Sequence, residues 1–482
     1  MRTILLYSLL VGVPTLGLLA IICFCHSSEM AVIAVRDVPA VTQIQLPSGS
    51  FLLLAQLVVI LLLARSVGAL FRFIHQPRVV GDMVAGILLG PSLFGWVAPH
   101  ASAFLFPATG LGSLKSLSEI GLLLYMFLVG LHLDLQKLAL HRHVFLLTSH
   151  TSIVFPFTLG VLLARYHYPG LAGQRATFTQ FALFLGTAMS VTAFPVLARI
   201  LADLKFLQTR VGSVAIACAA VDDVTAWCIL AGIVVFVRTG TVTASFWTTL
   251  LGTAAYVVLM ISLVRRAVRK IELAWLIQGK LSSNLLAPIV LLVVASGCIT
   301  ETLGIHALFG GFLMGAIMPR NPQFVRAISD KLEGITVALF LPLFFALIGL
   351  RSSITLVAGG KMWFYCGIII VSAIAGKLGG AALSARINGM SWREASTIGL
   401  LMNTRGLMEL VVLNIGLDIG VISPALFTML VLMALISTFS ATPLIKCLLP
   451  PYSPLELSLR HQSPVHSESL HAQRLSGDYF GR

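Results

Sequence analysis

Apolar stretches long enough to cross a bilayer recur from one end of the chain to the other, and those at 283–300 and 421–445 hold no charged residue. A helix needs about 20 mostly apolar residues to span the hydrocarbon layer. Charged residues make up 10% of the 482-residue chain and hydrophobic ones 58%, whereas soluble domains carry about 25% charged residues. The expected fold is therefore all-α, a polytopic integral membrane protein. Its 41 glycines and 20 prolines are scattered through the apolar runs, which suits helices that approach closely or break inside the membrane. The ten-residue alternation of an outer-membrane barrel is absent.

The formal net charge is +14. Nucleic-acid binding would need Lys and Arg clustered on a soluble domain, and no such domain is present, so no nucleic-acid partner is expected. The excess reads instead as topology, because cytoplasmic loops collect Lys and Arg. With the N-terminus inside, most basic residues fall on the cytoplasmic side. The strongest marker is the stretch Arg265, Arg266, Arg269, Lys270 and Lys280, read as a cytoplasmic loop, while the turn at Glu301 has no basic residue. This orientation places the C-terminus in the cytoplasm of a multi-pass protein, expected in a bacterial inner (plasma) membrane.

Residues 1–50 hold an apolar segment, 4–23, that is either a signal peptide or an extra helix, followed by an outer loop. Residues 450–482, rich in Ser, Pro, His and Arg, have the composition of a disordered cytoplasmic tail. Their length leaves no room for a nucleotide-sensing domain. Seven cysteines without CxxC spacing form neither a metal site nor a disulfide framework. His461, His466 and His471 recur every five residues, a spacing that does not stack on one helix face. No cofactor and no enzymatic activity are expected.

An internal repeat organises the membrane domain, 51–449. The motif ending at Gly130-Leu131 matches that ending at Gly349-Leu350; Gly86-x3-Gly90 with Pro91 matches Gly311-x3-Gly315 with Pro319. The Pro-containing span 177–199 has a Gly-interrupted counterpart at 394–416. Three matches in one order at similar offsets, across an odd number of helices, predict two inverted repeats, 51–237 and 283–445, joined by a linker helix at 244–264. Such repeats bring discontinuous helices together at the midplane to build a substrate site.

Charges inside the spans point to what that site does. A charge at the bilayer centre costs about 2.5–3.5 kcal/mol on insertion scales. Asp222 and Asp223 lie mid-span, and adjacent helical residues point about 100° apart, so the two carboxylates divide roles. Lys377, flanked by small residues, is the natural partner for one of them. Arg405 and Glu409, one turn apart, can neutralise each other and are structural or gating candidates. Two acids and one lysine leave a net negative site that a proton or a cation can fill, and that competition suffices for exchange. Ser190 and Thr192, with Pro195 kinking the segment, supply hard oxygens that suit Na⁺ or K⁺; hydroxyls bonded back to their own helix are the alternative.

Together the motifs Gln76-Pro-Arg-Val-Val-Gly81, Gly86-Ile-Leu-Leu-Gly-Pro-Ser-Leu-Phe-Gly95, Gly130-Leu-His-Leu-Asp134, Ser190-Val-Thr-Ala-Phe-Pro-Val-Leu-Ala198, Asp222-Asp223 with Trp227, Lys377, and Asn403-Thr-Arg-Gly-Leu-Met-Glu409 resemble the second monovalent cation:proton antiporter family, a sodium/hydrogen exchanger-like membrane domain. The resemblance covers about 51–449. It implies about thirteen helices with two broken, crossing helices, plus the extra N-terminal segment, and a homodimer in which an ion-carrying core moves against a dimer scaffold. It also implies that Asp223 is the cation and proton carboxylate, the ligand of Na⁺ or K⁺, and that Asp222 pairs with Lys377. Thr192 and Thr404 fall on the crossing segments. Asp82 and His132 stand where the family often has Glu, so neither takes a role by resemblance. The expected partners are monovalent cations, protons and membrane lipid. A K⁺ efflux system and a Na⁺-coupled solute symporter are the alternative readings.

Overall fold

The computed structural model describes residues 49–448 apart from 75, 108–109, 133–141, 175, 204–205, 207–208 and 240–243. The apolar segment 4–23 and the tail 450–482 lie outside the described residues. Helices dominate: α1 (Gly49–Phe73), α2 (Arg78–Leu89), α3 (Leu111–His132), α4 (Arg142–Leu171), α5 (Phe178–Ser190), α6 (Phe194–Asp203), α7 (Arg210–Thr239), α8 (Ala244–Leu259), α9 (Arg265–Gln278), α10 (Ser283–Thr302), α11 (Ala307–Ala316), α12 (Pro322–Ile335), α13 (Leu341–Arg351), α14 (Gly360–Ile387), α15 (Trp392–Met402), α16 (Leu407–Asp418) and α17 (Pro424–Leu448). Among the described residues there is no sheet, only an isolated bridge between Ala172 and Ile422.

Nine of the described helical segments are long and apolar enough to cross a membrane, or ten with α15 and α16, bent by 43°, taken as one span. The remaining apolar segments fall short for a physical reason. α11 has 10 residues, about 15 Å of helix against a hydrocarbon layer of about 30 Å. α5 and α6 are half-helices separated by the extended residues 191–193.

The basic stretch that begins at Arg265 is not a loop. α8 runs through a π turn (Met260–Val264) directly into α9, because no Gly or Pro interrupts 260–278 and its residues favour helix. Arg265, Arg266, Arg269 and Lys270 therefore sit on a helix, exposed, at the end of the linker.

The helices pack as two groups. In one, α2 lies on α13 and α1, and α3 and α10 lie on α11; in the other, α4 packs on α14 and α5, α14 on α15, and α16 on α17, with α7 against α4, α5 and α15. Small residues set the closest approaches within the first group. A Cβ on Gly349 would strike the carbonyl of Gly86, and one on Gly86 the carbonyl of Phe345; Gly130 and Gly315 meet the carbonyls of Phe312 and Phe127 in the same reciprocal way. Backbone-to-backbone contact of this kind is how helices gain packing energy where lipid is as apolar as their side chains.

Overpacking a close contact costs about 1–3 kcal/mol, so Gly349→Val should lower the thermal unfolding midpoint of the purified protein by several degrees. Gly367→Ala, on α14 with open space around the new methyl, should leave it unchanged. Equal midpoints for the two variants would refute the assignment of α2–α13 as a backbone-contact interface.

Candidate ion site at the helix breaks

Two interruptions make the centre of the second group. Residues 191–193 separate α5 from α6, and 403–406 separate α15 from α16. A helix end leaves four carbonyls without intrahelical partners, and inside a membrane each must be satisfied by protein. The two breaks answer each other: the Ala193 N–H donates to the Thr404 carbonyl at 3.0 Å. Thr438 of α17 holds the second break by donating to the Arg405 carbonyl and accepting from the Arg405 N–H.

The last four carbonyls of α5 are all occupied. Ser190 Oγ donates to the Thr187 carbonyl at 2.9 Å, the Arg405 guanidinium to those of Ala188 (3.2 Å) and Met189 (2.7 Å), and Lys377 Nζ to that of Ser190 (2.5 Å). Two buried cations thus sit at a helix C-terminus, where the partial negative charge favours them. Arg405 is itself paired with Glu409 at 3.1 Å, both side chains fully buried. The sequence-derived pairing of these two is present, and the guanidinium also ties α15–α16 to α5.

Pro195 plays a different part from the one read in the sequence. The break precedes it, and it stands at the second residue of α6, in the first helical turn, where a missing N–H leaves nothing unpaired. It permits the restart of the helix and does not kink an interior.

Asp222 and Asp223 diverge as the helical offset requires. Asp222 is fully buried and accepts four donors: Ser149 Oγ on Oδ1, and Ser152 Oγ (2.9 Å), Thr192 Oγ1 (2.8 Å) and Lys377 Nζ (2.8 Å) on Oδ2. Asp223 is also buried, yet neither of its oxygens makes a hydrogen bond. The Phe194 N–H at the start of α6 is its nearest backbone donor, without closing a bond. Asp223 lines a narrow cavity with Val191, Ala226, Trp227, Met408 and Val412. Of these, Trp227 also reaches the other helix group, meeting Phe309 of α11 edge-on at 4.9 Å and stacking on Phe312 at 6.2 Å.

The hydroxyls read as ion ligands are placed less simply. Thr192 reaches Asp222, with the Met402 carbonyl as a second acceptor at 3.2 Å. Ser190 and Thr404 bond back to carbonyls of their own segments, the alternative already present in their chemistry. None donates to Asp223. Asp82 is buried on α2, in the first group. His132, at the end of α3, joins that helix to α12 through Ser329 Oγ at 3.2 Å. Among the described residues, no cluster of His, Cys, Asp and Glu could hold a metal, and the described cysteines are free.

Sequence reasoning missed Ser149 and Ser152. The signal was the run Thr148-Ser149-His150-Thr151-Ser152 inside an apolar span, polar residues that need a buried partner. It also missed a clasp at one end of the bundle, where Arg351 meets Asp418 at 2.7 Å and Asn414 at 2.6 Å, and Lys115 meets Asp418 at 3.3 Å. These residues sit on α13, α16 and α3, far apart in the chain.

A buried acid–lysine pair beside an unpartnered acid, set at two helix breaks, has the chemistry of an ion-coupled membrane transporter. Residues 58–449 match the transmembrane family model of the sodium/hydrogen exchangers, and the chain belongs to that family. It is 44% identical over 400 residues to the Na(+)/H(+) antiporter NhaS4 of Synechocystis sp., covering 83% of this chain and 97% of that protein. It is 37% identical over 406 residues to Cation/H(+) antiporter 19 of Arabidopsis thaliana and 32% identical over 412 residues to K(+)/H(+) antiporter 1 of Saccharomyces cerevisiae, and it spans 50% and 46% of their lengths. The sodium proton antiporter MjNhaP1 of Methanocaldococcus jannaschii shares the fold, with a TM-score of 0.60 at 12% identity over 82% of this chain and 99% of that one.

Removing one member of a buried ion pair costs about 3–5 kcal/mol because a charge is stranded. Lys377→Ala should therefore lower the unfolding midpoint more than Asp222→Ala/Lys377→Ala does. The three hydroxyls left on Asp222 should hold the single-variant loss near the low end of that range. Additive losses in a double-mutant cycle would show that the pair is not coupled.

Proposed function

We propose that this chain exchanges a monovalent cation, Na⁺ or K⁺, for protons at Asp223. The observation that carries this reading is a buried carboxylate with both oxygens unpartnered, lining a cavity. An isolated charge in hydrocarbon is costly unless neutralised. A proton or a cation neutralises Asp223 equally well, and the two exclude each other. Asp222 is already satisfied and serves the site through Lys377.

Alternating access follows from the two helix groups. The cavity is lined by the ion-carrying group (α4–α7 and α14–α17), and its Trp227 packs on α11 of the other, so motion of one group against the other exposes it to one side and then the other. The clasp of Lys115 and Arg351 on Asp418 joins the two groups at one membrane face and must open when that face does. Two inverted repeats, 51–237 and 283–445, underlie this design, completing about thirteen helices in which the two broken helices cross at the site. Their support is reciprocal: α2 packs on α13 as α11 packs on α3, and the first half of each broken helix starts with a capping box, Thr177 with Gln180 and Ser391 with Glu394. The first group is the scaffold of a homodimer, and the protein sits in a bacterial inner membrane with its C-terminus in the cytoplasm.

Exchange is electrogenic in this reading. When the cation arrives, Asp223 gives up its proton, Asp222 turns toward the cation, and Lys377, released from Asp222, gives up its own proton. Two protons move for one cation.

In proteoliposomes, adding Na⁺ or K⁺ should release protons from an acid interior, read as fluorescence dequenching, and Asp223→Asn should abolish the signal because an amide has no proton to exchange and no charge to neutralise a cation. Retained salt-driven release in that variant would sink the carrier assignment.

Stoichiometry is tested separately. One charge crossing the membrane is worth about 2.3 kcal/mol per 100 mV, so the ion gradient at which proton flux reverses should shift with a clamped potential. A reversal point indifferent to potential would reject two-for-one exchange while leaving antiport intact.

A further inference from the structure

The four donors on Asp222 are not equivalent. Oδ2 is shared by the Lys377 ammonium and the hydroxyls of Ser152 and Thr192, whereas Oδ1 has Ser149. A hydroxyl has one proton to donate. Ser152 can give its proton to the Ser149 carbonyl at 2.8 Å instead, and Thr192 can give its proton to the Met402 carbonyl at 3.2 Å. Ser149 Oγ has Asp222 as its one acceptor among the described contacts. It also departs from the habit of other buried hydroxyls in this chain, since Thr187, Thr336 and Thr397 each bond back to the carbonyl four residues earlier. Ser149 instead reaches from α4 across to α7.

The direction of that reach matters. Asp223 lines the cavity and Asp222 does not, although the two are neighbours on one helix. Ser149 Oγ holds Oδ1 on the α4 side, away from the space a cation would occupy. For Asp222 to turn toward a cation, this bond must break, and the Ser149 hydroxyl has no second acceptor to move to among the described contacts, whereas Ser152 and Thr192 each have a carbonyl within reach.

We propose that Ser149 is a positioning residue that competes with the transported cation for Oδ1 of Asp222 and thereby sets the apparent affinity of the site. The proposal rests on the reading of Asp223 as the exchange carboxylate, with Asp222 joining it when the cation binds. Without the Ser149 hydroxyl, Oδ1 has no donor in the empty site, and the cation becomes its partner with nothing to displace. Binding tightens, and release slows with it.

The test is the dependence of proton release on Na⁺ and, separately, K⁺ concentration in proteoliposomes carrying wild type, Ser149→Ala, Ser149→Thr and Ser152→Ala. A hydrogen bond to a charged group contributes about 1.5–3 kcal/mol, so Ser149→Ala should lower KM for the cation about tenfold or more, with kcat reduced or equal. Ser149→Thr keeps the hydroxyl and should restore the wild-type KM. Ser152→Ala, acting on the shared oxygen, should change KM much less. A purely structural role would lower the folded fraction and kcat and would not lower KM. An unchanged or raised KM in Ser149→Ala, or an equal fall in Ser152→Ala, overturns the proposal. Should Ser149→Ala not fold, Ser149→Cys, nearly isosteric and a weak donor, must shift KM in the same direction, and a wild-type KM there overturns it equally. Failure of the underlying reading looks different: wild type would then show no cation-driven proton release, or Asp223→Asn would retain it.

Discussion

Breaking a helix inside a bilayer strands backbone carbonyls that water cannot reach, and the centre of this protein is arranged around that constraint. The last turn of α5 exposes four carbonyls at 187–190, and side chains from three different segments close them: Ser190 itself, Arg405 from the opposite break, and Lys377 from α14. Both cations are buried and would be costly alone. Each has a carboxylate, Glu409 or Asp222, so charge is balanced in pairs while the helix dipole is capped. The opening between the half-helices is therefore a fixed structural feature, held by ionic contacts, and the cavity beside Asp223 can exist without the segment collapsing.

Once those pairs are made, the residual chemistry falls to a single side chain. Asp222 accepts from four donors, and neither oxygen of Asp223 makes a hydrogen bond. Neighbouring positions on one helix thus carry opposite fates. Asp222 is held by the framework, and Asp223 faces the cavity. Trp227, one turn further along α7 from Asp223, anchors the same helix against Phe309 and Phe312 of the other group.

Within the first group, fit is by backbone. The reciprocal glycine contacts of α2 with α13 and of α3 with α11 leave no room for a side chain. Rigid packing on one side and ionic closure on the other give two bodies that can keep their own shape. The contacts that join them at the clasp are partly exposed ion pairs, which exchange partners with water at little cost.

Much of this was legible in the chain itself. Sparse charge and long apolar runs settle a membrane helical protein, because nothing else tolerates them. The cost of a charge in lipid singles out Asp222, Asp223, Lys377, Arg405 and Glu409, and the four-residue spacing of the last two suffices to pair them. Other features depended on what packs around each segment. Ser149 and Ser152 became visible as donors only when α4 was laid against α7. Ser190 and Thr404 have carbonyls of their own segments within reach, and the start of α6 absorbs the missing N–H of Pro195. The basic residues from Arg265 onward continue a helix because no breaker stands before Gln278. The helical period by itself dictates that Asp222 and Asp223 point apart, but which of them is satisfied and which is left open was decided by the tertiary structure, since the donors come from α4, α14 and the first break, distant in sequence and brought to one side of α7 alone.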